Sequence, residues 1–175
     1  MNTSLIRTRT SLQDSIAELL NKQIGMEAYS SAVYLAMSAW CYHQGFQGCG
    51  YYFKKQAGEE REHMMKIFDY VADVGGLPVS PEIHFIDNKF EGLRDIFAKS
   101  LDQEIAVTES FNHMTDHCHQ IKDFQTAKFL QWFLDEQLEE EQNSRRLLEI
   151  FDLIGVENGG LFKIDKEVEK LAKGE

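Results

Sequence analysis

The stretch Glu59-Glu60-Arg61-Glu62-His63 decides how this chain folds. It lies inside a proline-free run from Tyr51 to Val74 that reads as one long helix. Glu60 and His63 are three residues apart, so a helix stacks them on one face. The same face carries Phe53, Gln56, Ile67, Tyr70, Val71 and Val74. A carboxylate and an imidazole therefore point into a core. An unpaired charge there is costly, and a bound metal ion is the natural compensation.

The bulk numbers suit such a core. A chain of 175 residues fits one domain, read here as residues 1–175, and 43% hydrophobic residues argues against disorder. A net charge of −11 disfavours nucleic acid and anionic membrane as partners and favours cations. Cys41, Cys49 and Cys118 are too widely spaced for a zinc site or a disulfide framework, so they read as reduced thiols. Residues 1–10 form a polar lead without a signal-peptide core, and no apolar run is long enough to span a membrane. The expected location is the cytoplasm.

Working outward, the pattern predicts an all-α fold with helices over about 11–41, 49–74, 92–120, 124–154 and 161–172. Ser11, with Asp14 three residues on, reads as the first helix cap. Gly75-Gly76-Leu77-Pro78 stops the second helix. The stretch from Leu77 to about Glu91 holds both prolines and has no helical period. A connection that long fits a crossover along a four-helix bundle, leaving the second and third helices parallel in up-down-down-up order. The fifth helix is short.

Each long helix carries a polar intrusion on its apolar stripe: Glu27 in the first, Glu60 with His63 in the second, Glu104 in the third, Gln137 with Glu140 in the fourth. Glu27 and Glu60 lie 33 residues apart, and so do Glu104 and Gln137. A lone carboxylate followed by an i, i+3 pair thus occurs twice. Helix bundles build dinuclear carboxylate sites from this set. Iron accepts carboxylate oxygen and imidazole nitrogen. The expected first site is Glu27, Glu60 and His63, with Glu104 on a second iron and Glu60 as the bridge.

These motifs, with MEAYSSAVYLAMSAWC around Glu27, QAGEEREHM, LDQE, FLQWFLDEQLEEE and the tail GGLFKIDKEVEKL, make the chain resemble the bacterial non-haem ferritins from about Leu12 to Ala172. The resemblance implies an iron-storage protein that assembles as a 24-mer around a ferric mineral. It implies a ferroxidase centre in each subunit, oxidising Fe(II) with dioxygen or hydrogen peroxide. It adds Glu140 to the second iron and sets Gln137 beside that iron. It implies a third iron site, on the cavity side, with Glu59, Glu136, Glu139 and Glu140. By spacing alone Glu59, Glu136 and Glu139 are ordinary solvated acids. Tyr34 matches a tyrosine near the centre able to supply an electron. Trp132 could do the same, but reads as core packing.

Some features depart from relatives of this fold. The second pair is Gln137–Glu140 rather than a second ExxH, which argues against bacterioferritins and against a di-iron peroxidase or oxygenase acting on an external substrate. Met64-Met65 reads as core, and no haem is expected. The segment from Asp123 to Lys128 is poor in acids, so an acid-lined iron entry pore is not expected there. His113, His117 and His119 read as solvated histidines.

Overall fold

The computed structural model describes residues 9–174. The polar lead over residues 1–8 lies outside them. Five helices make up the regular structure of the described residues: α1 (Asp14–His43), α2 (Gln47–Asp73), α3 (Leu93–Ile121), α4 (Phe124–Ile154) and α5 (Gly160–Lys173). No helix among these residues is long and apolar enough to cross a membrane.

Two boundaries differ from the sequence expectation for physical reasons. Ser11 does not cap α1, which starts after Gln13 without a side-chain cap. Thr10 ties the approach to α1 down instead: its hydroxyl accepts from Leu12 N and donates to the Val74 carbonyl at the far end of α2. Helix α2 begins earlier than its apolar stripe suggests. Asp165, reaching from α5, accepts a hydrogen bond from Cys49 N at 2.8 Å, so the cap comes from a distant part of the chain.

Hydrogen bonds across the bundle fix the topology. Between α1 and α3 they join Ser15 to His117, Gln23 to Ser110 and Tyr34 to Ser100, so these helices are antiparallel. Between α2 and α4 they join Gln56 to Glu140 and Tyr70 to Thr126, which is antiparallel too. Helix α1 packs along α2, and α3 along α4. The order is therefore up-down-down-up, with α5 packed across the ends of α2 and α4. The crossover between α2 and α3 has no regular structure. It runs beside α1: Asn21 bonds the Leu77 carbonyl and Val79 N, and Trp40 meets Phe90 edge-on with ring centres 6.2 Å apart. Gly75, at φ +85°, makes the left-handed exit from α2.

The core divides into two apolar clusters. One, around Tyr34, Phe53, Phe97 and Leu147, extends onto Ile164 and Val168 of α5. The other holds Ile16, Leu20, Ile67, Phe111, Leu130 and Phe133. Each large side chain in them stabilises the fold by roughly 1.5–3 kcal/mol. Between the clusters lies a buried polar band with Glu27, Gln56, Glu60, His63, Glu104, Gln137 and Glu140.

Candidate metal centre

Helical spacing builds the band. Glu27 sits one turn beyond Ile24 on the buried face of α1, and Glu60 and His63 occupy successive turns of α2. Glu104 takes the same role on α3, and Gln137 and Glu140 on α4. Glu27, Glu60 and His63 each offer a ligand atom, and these atoms all lie within 4.8 Å of one another. The His63 Nδ1 is 3.6 Å from Glu60 Oε2. They are the one such group of three among the described residues.

Neutral donors hold four of the eight oxygens of Glu27, Glu60, Glu104 and Glu140. The Tyr34 hydroxyl donates to Glu104 Oε1, and Gln137 Nε2 donates to Glu104 Oε2 at 3.1 Å. Ser100 and Ser144, 3.0 Å apart, back Tyr34. Gln56 Nε2 donates to Glu140 Oε2 at 2.8 Å, and Gln23 Nε2 to Glu27 Oε1 at 2.7 Å. Glu27 Oε2 and Glu60 Oε2 are buried without a hydrogen-bond partner. Two acceptor atoms beside an imidazole need a cation or a proton.

The protein supplies no fixed cation there. The buried charged residues among those described include Glu27, Glu60, Glu104 and Glu140, but no lysine or arginine. Burial pushes Glu27 well above the usual carboxylate range, and Glu60 beside it adds to the shift. Burial likewise raises Glu60, with Glu104 next in effect. Glu104 is raised by burial against the lowering effect of Tyr34 and Gln137. Glu140 is raised to about 8 by burial, then by Glu104 and Glu59. Four buried acids, each with its carboxyl pushed upward, surround one imidazole and form a site whose charge a divalent cation would balance. The donor set, oxygen with one nitrogen, suits iron.

The outer acids stand apart from this centre. Glu59 is half-buried, with Lys55 Nζ 3.3 Å from its carboxylate. Glu136 is half-buried and Glu139 exposed. Glu59 and Glu136 still reach Glu140 electrostatically. His113 and His119 are exposed, and His117 Nε2 lies 2.9 Å from Ser15 Oγ. Trp132 departs from the core-packing expectation: it is 39% exposed. Its position on α4 turns it outward beside the site, with its ring edge-on to His63 at 5.5 Å and Lys66 Nζ over its face at 3.8 Å.

Sequence reasoning missed Gln23, Tyr52, Ser100 and Ser144. Gln23 had a signal, being one turn before Glu27 on the same face. Tyr52 is buried, and its hydroxyl has no partner; Glu140 and Glu104 help burial to raise its pKa. All three cysteines are free and buried.

An antiparallel bundle with a long crossover and a buried carboxylate–histidine cluster at its waist defines the class of carboxylate-lined metal bundles. A family model described as a ferritin-like domain matches residues 17–154. The chain belongs to this ferritin-like family. It is 35% identical over 161 residues to a probable bacterial non-heme ferritin-like protein of Haemophilus influenzae, spanning 92% of this chain and 98% of the relative. It is 34% identical over 161 residues to a bacterial non-heme ferritin of Campylobacter jejuni, spanning 92% and 96%. Among solved structures, an open pore ferritin from the archaeon Archaeoglobus fulgidus superposes with a TM-score of 0.88 at 32% identity, covering 91% of this chain and 98% of that one.

Proposed function

We propose that this chain is a single ferritin-like domain that stores iron, oxidising Fe(II) to Fe(III) at the buried centre and depositing ferric mineral inside a shell of 24 copies. The observation that carries this reading is the band of four buried carboxylates and one histidine with no buried lysine or arginine among the described residues. The family relation supports iron as the cation.

Iron is here the substrate. Glu27, Glu60 and His63 receive the first ion, and Glu60 bridges to a second held by Glu104 and Glu140. Gln137 orients dioxygen or water beside that second ion. Two ferrous ions give one electron each; dioxygen takes both electrons and two protons and leaves as hydrogen peroxide. With peroxide as oxidant, the same two electrons and two protons yield two waters. Carboxylate ligands favour the ferric state, since the harder, more charged ion gains more from anionic oxygen. Tyr34, hydrogen-bonded to Glu104, serves as the second one-electron donor to dioxygen or peroxide when only one ferrous ion is bound. Glu59, Glu136, Glu139 and Glu140 form a third site toward the cavity. The protein works in the cytoplasm, without haem, nucleic acid or membrane.

The test is aerobic addition of Fe(II) to the purified protein, followed by ferric absorbance and sizing. A large assembly that retains hundreds of irons per particle is the expected product. A monomer or dimer that turns over without retaining mineral would overturn storage, and no iron-dependent absorbance would remove the site.

A further inference from the structure

Gln23 is fully buried and sits one helical turn before Glu27. Its Nε2 donates to Glu27 Oε1 at 2.7 Å. Its Oε1 accepts from Ser110 Oγ on α3 at 2.6 Å. The nearby face is apolar, with Leu20, Ile24, Val107 and Phe111 all buried. An amide placed there without partners would be costly, so both of its ends are committed. The carboxylate sets the direction of the amide, because ionised Glu27 only accepts whereas a serine hydroxyl can donate or accept. With the NH2 end on Glu27, the amide oxygen is left for the Ser110 hydroxyl hydrogen, which locks that orientation.

The consequence falls on the other oxygen. Glu27 Oε1 is taken, and Glu27 Oε2 is buried and unpartnered. Oε2 is the oxygen left for the group formed with Glu60 and His63. We infer that Gln23, itself fixed by Ser110, is the positioning residue that holds Glu27 to single-oxygen ligation. It anchors Oε1 and presents Oε2 to the metal. Partners of this kind orient ligands, and removing them typically weakens metal affinity about 10–100-fold. This inference rests on the metal-site reading above.

The probe is Co(II), which avoids oxidation and whose visible absorption reports coordination number and geometry. Whole, assembled protein is titrated as wild type, Gln23→Leu, Ser110→Ala and Glu27→Ala. Gln23→Leu should bind Co(II) about 10–100-fold more weakly at the first site. Its Co(II) spectrum should also change, because the freed carboxylate can swing to two-oxygen ligation. Ser110→Ala removes one donor with little change in volume, so it remains informative if Gln23→Leu misfolds. It should shift affinity and spectrum in the same direction by less. A residue that only fills space would lower the melting temperature and leave the bound Co(II) spectrum untouched. Wild-type affinity and spectrum in both variants would overturn the inference while leaving the site intact. Unchanged Co(II) binding in Glu27→Ala would overturn the site itself, and the inference with it.

Discussion

Replacing Glu140 with glutamine should stabilise the protein in chelator at alkaline pH and leave it unchanged in acid. Glu140 is buried, and its carboxyl is raised from 4.5 to about 8, chiefly by burial and then by Glu104 and Glu59. Between these two values the folded chain keeps a proton that the unfolded chain has lost. Stability therefore falls as the pH rises from about 4.5 to about 8, and the full penalty is present above that window. Each pKa unit is worth about 1.4 kcal/mol, so the ceiling is on the order of 5 kcal/mol. Because the neighbouring Glu104 and Glu60 carboxyls are raised by burial as well, Glu140 does not titrate independently of them, and roughly 2–5 kcal/mol is the expected gain. Glutamine keeps the shape and can still accept from Gln56 Nε2, so the 2.8 Å bond need not be lost. For a chain of this size the gain corresponds to a melting temperature higher by about 5–15 °C near pH 9, and to almost no change near pH 4, below both values. The assay is thermal unfolding by circular dichroism across that range. Equal gains at both pH values would mean a packing effect, and a loss near pH 9 would refute the charge argument.

Two further outcomes follow from particular contacts. Trp132 touches His63, whereas the other tryptophan, Trp40, packs on Phe46 and Phe90 in the far cluster; Co(II) should therefore quench emission in the wild type and leave Trp132→Phe unquenched, and equal quenching in both would move the metal away from His63. A Cβ on Gly48 would overlap the Asp165 carbonyl oxygen and lie 2.8 Å from Glu169 Cβ, while nothing stands within 4 Å of one on Gly58. Gly48→Ala should thus cost about 1–3 kcal/mol by pushing α5 off α2, and Gly58→Ala should gain about 0.5–1 kcal/mol, both read by chemical denaturation; equal stability of the two variants would contradict the close helix contact.

The bundle and its polar band were legible because helical periodicity exposes any residue that breaks it. Glu27, Glu60, His63, Glu104, Gln137 and Glu140 each interrupt an apolar stripe, and all six are buried. The crossover was legible from its prolines and missing period. Contacts between distant segments were not. The Asp165 cap on α2 and the Thr10 bond to Val74 join residues that no local pattern relates. Trp132 was misjudged because an aromatic residue next to the buried Phe133 looks like core; the 100° step between adjacent helical residues turns it outward. The supporting shell was only partly visible. Gln23 follows from i, i+4 spacing, but Ser100, Ser110 and Ser144 are common residues whose roles depend on which helices meet.

Initial Fe(II) oxidation in wild type and Glu60→Ala tests the central claim most directly. Glu60 is the acid whose buried, unpartnered oxygen faces His63 and whose charge couples to Glu27 and Glu104. With about two Fe(II) per subunit in air, the wild type should show a fast ferric absorbance phase that Glu60→Ala lacks. An undiminished fast phase in an intact Glu60→Ala assembly would contradict the account.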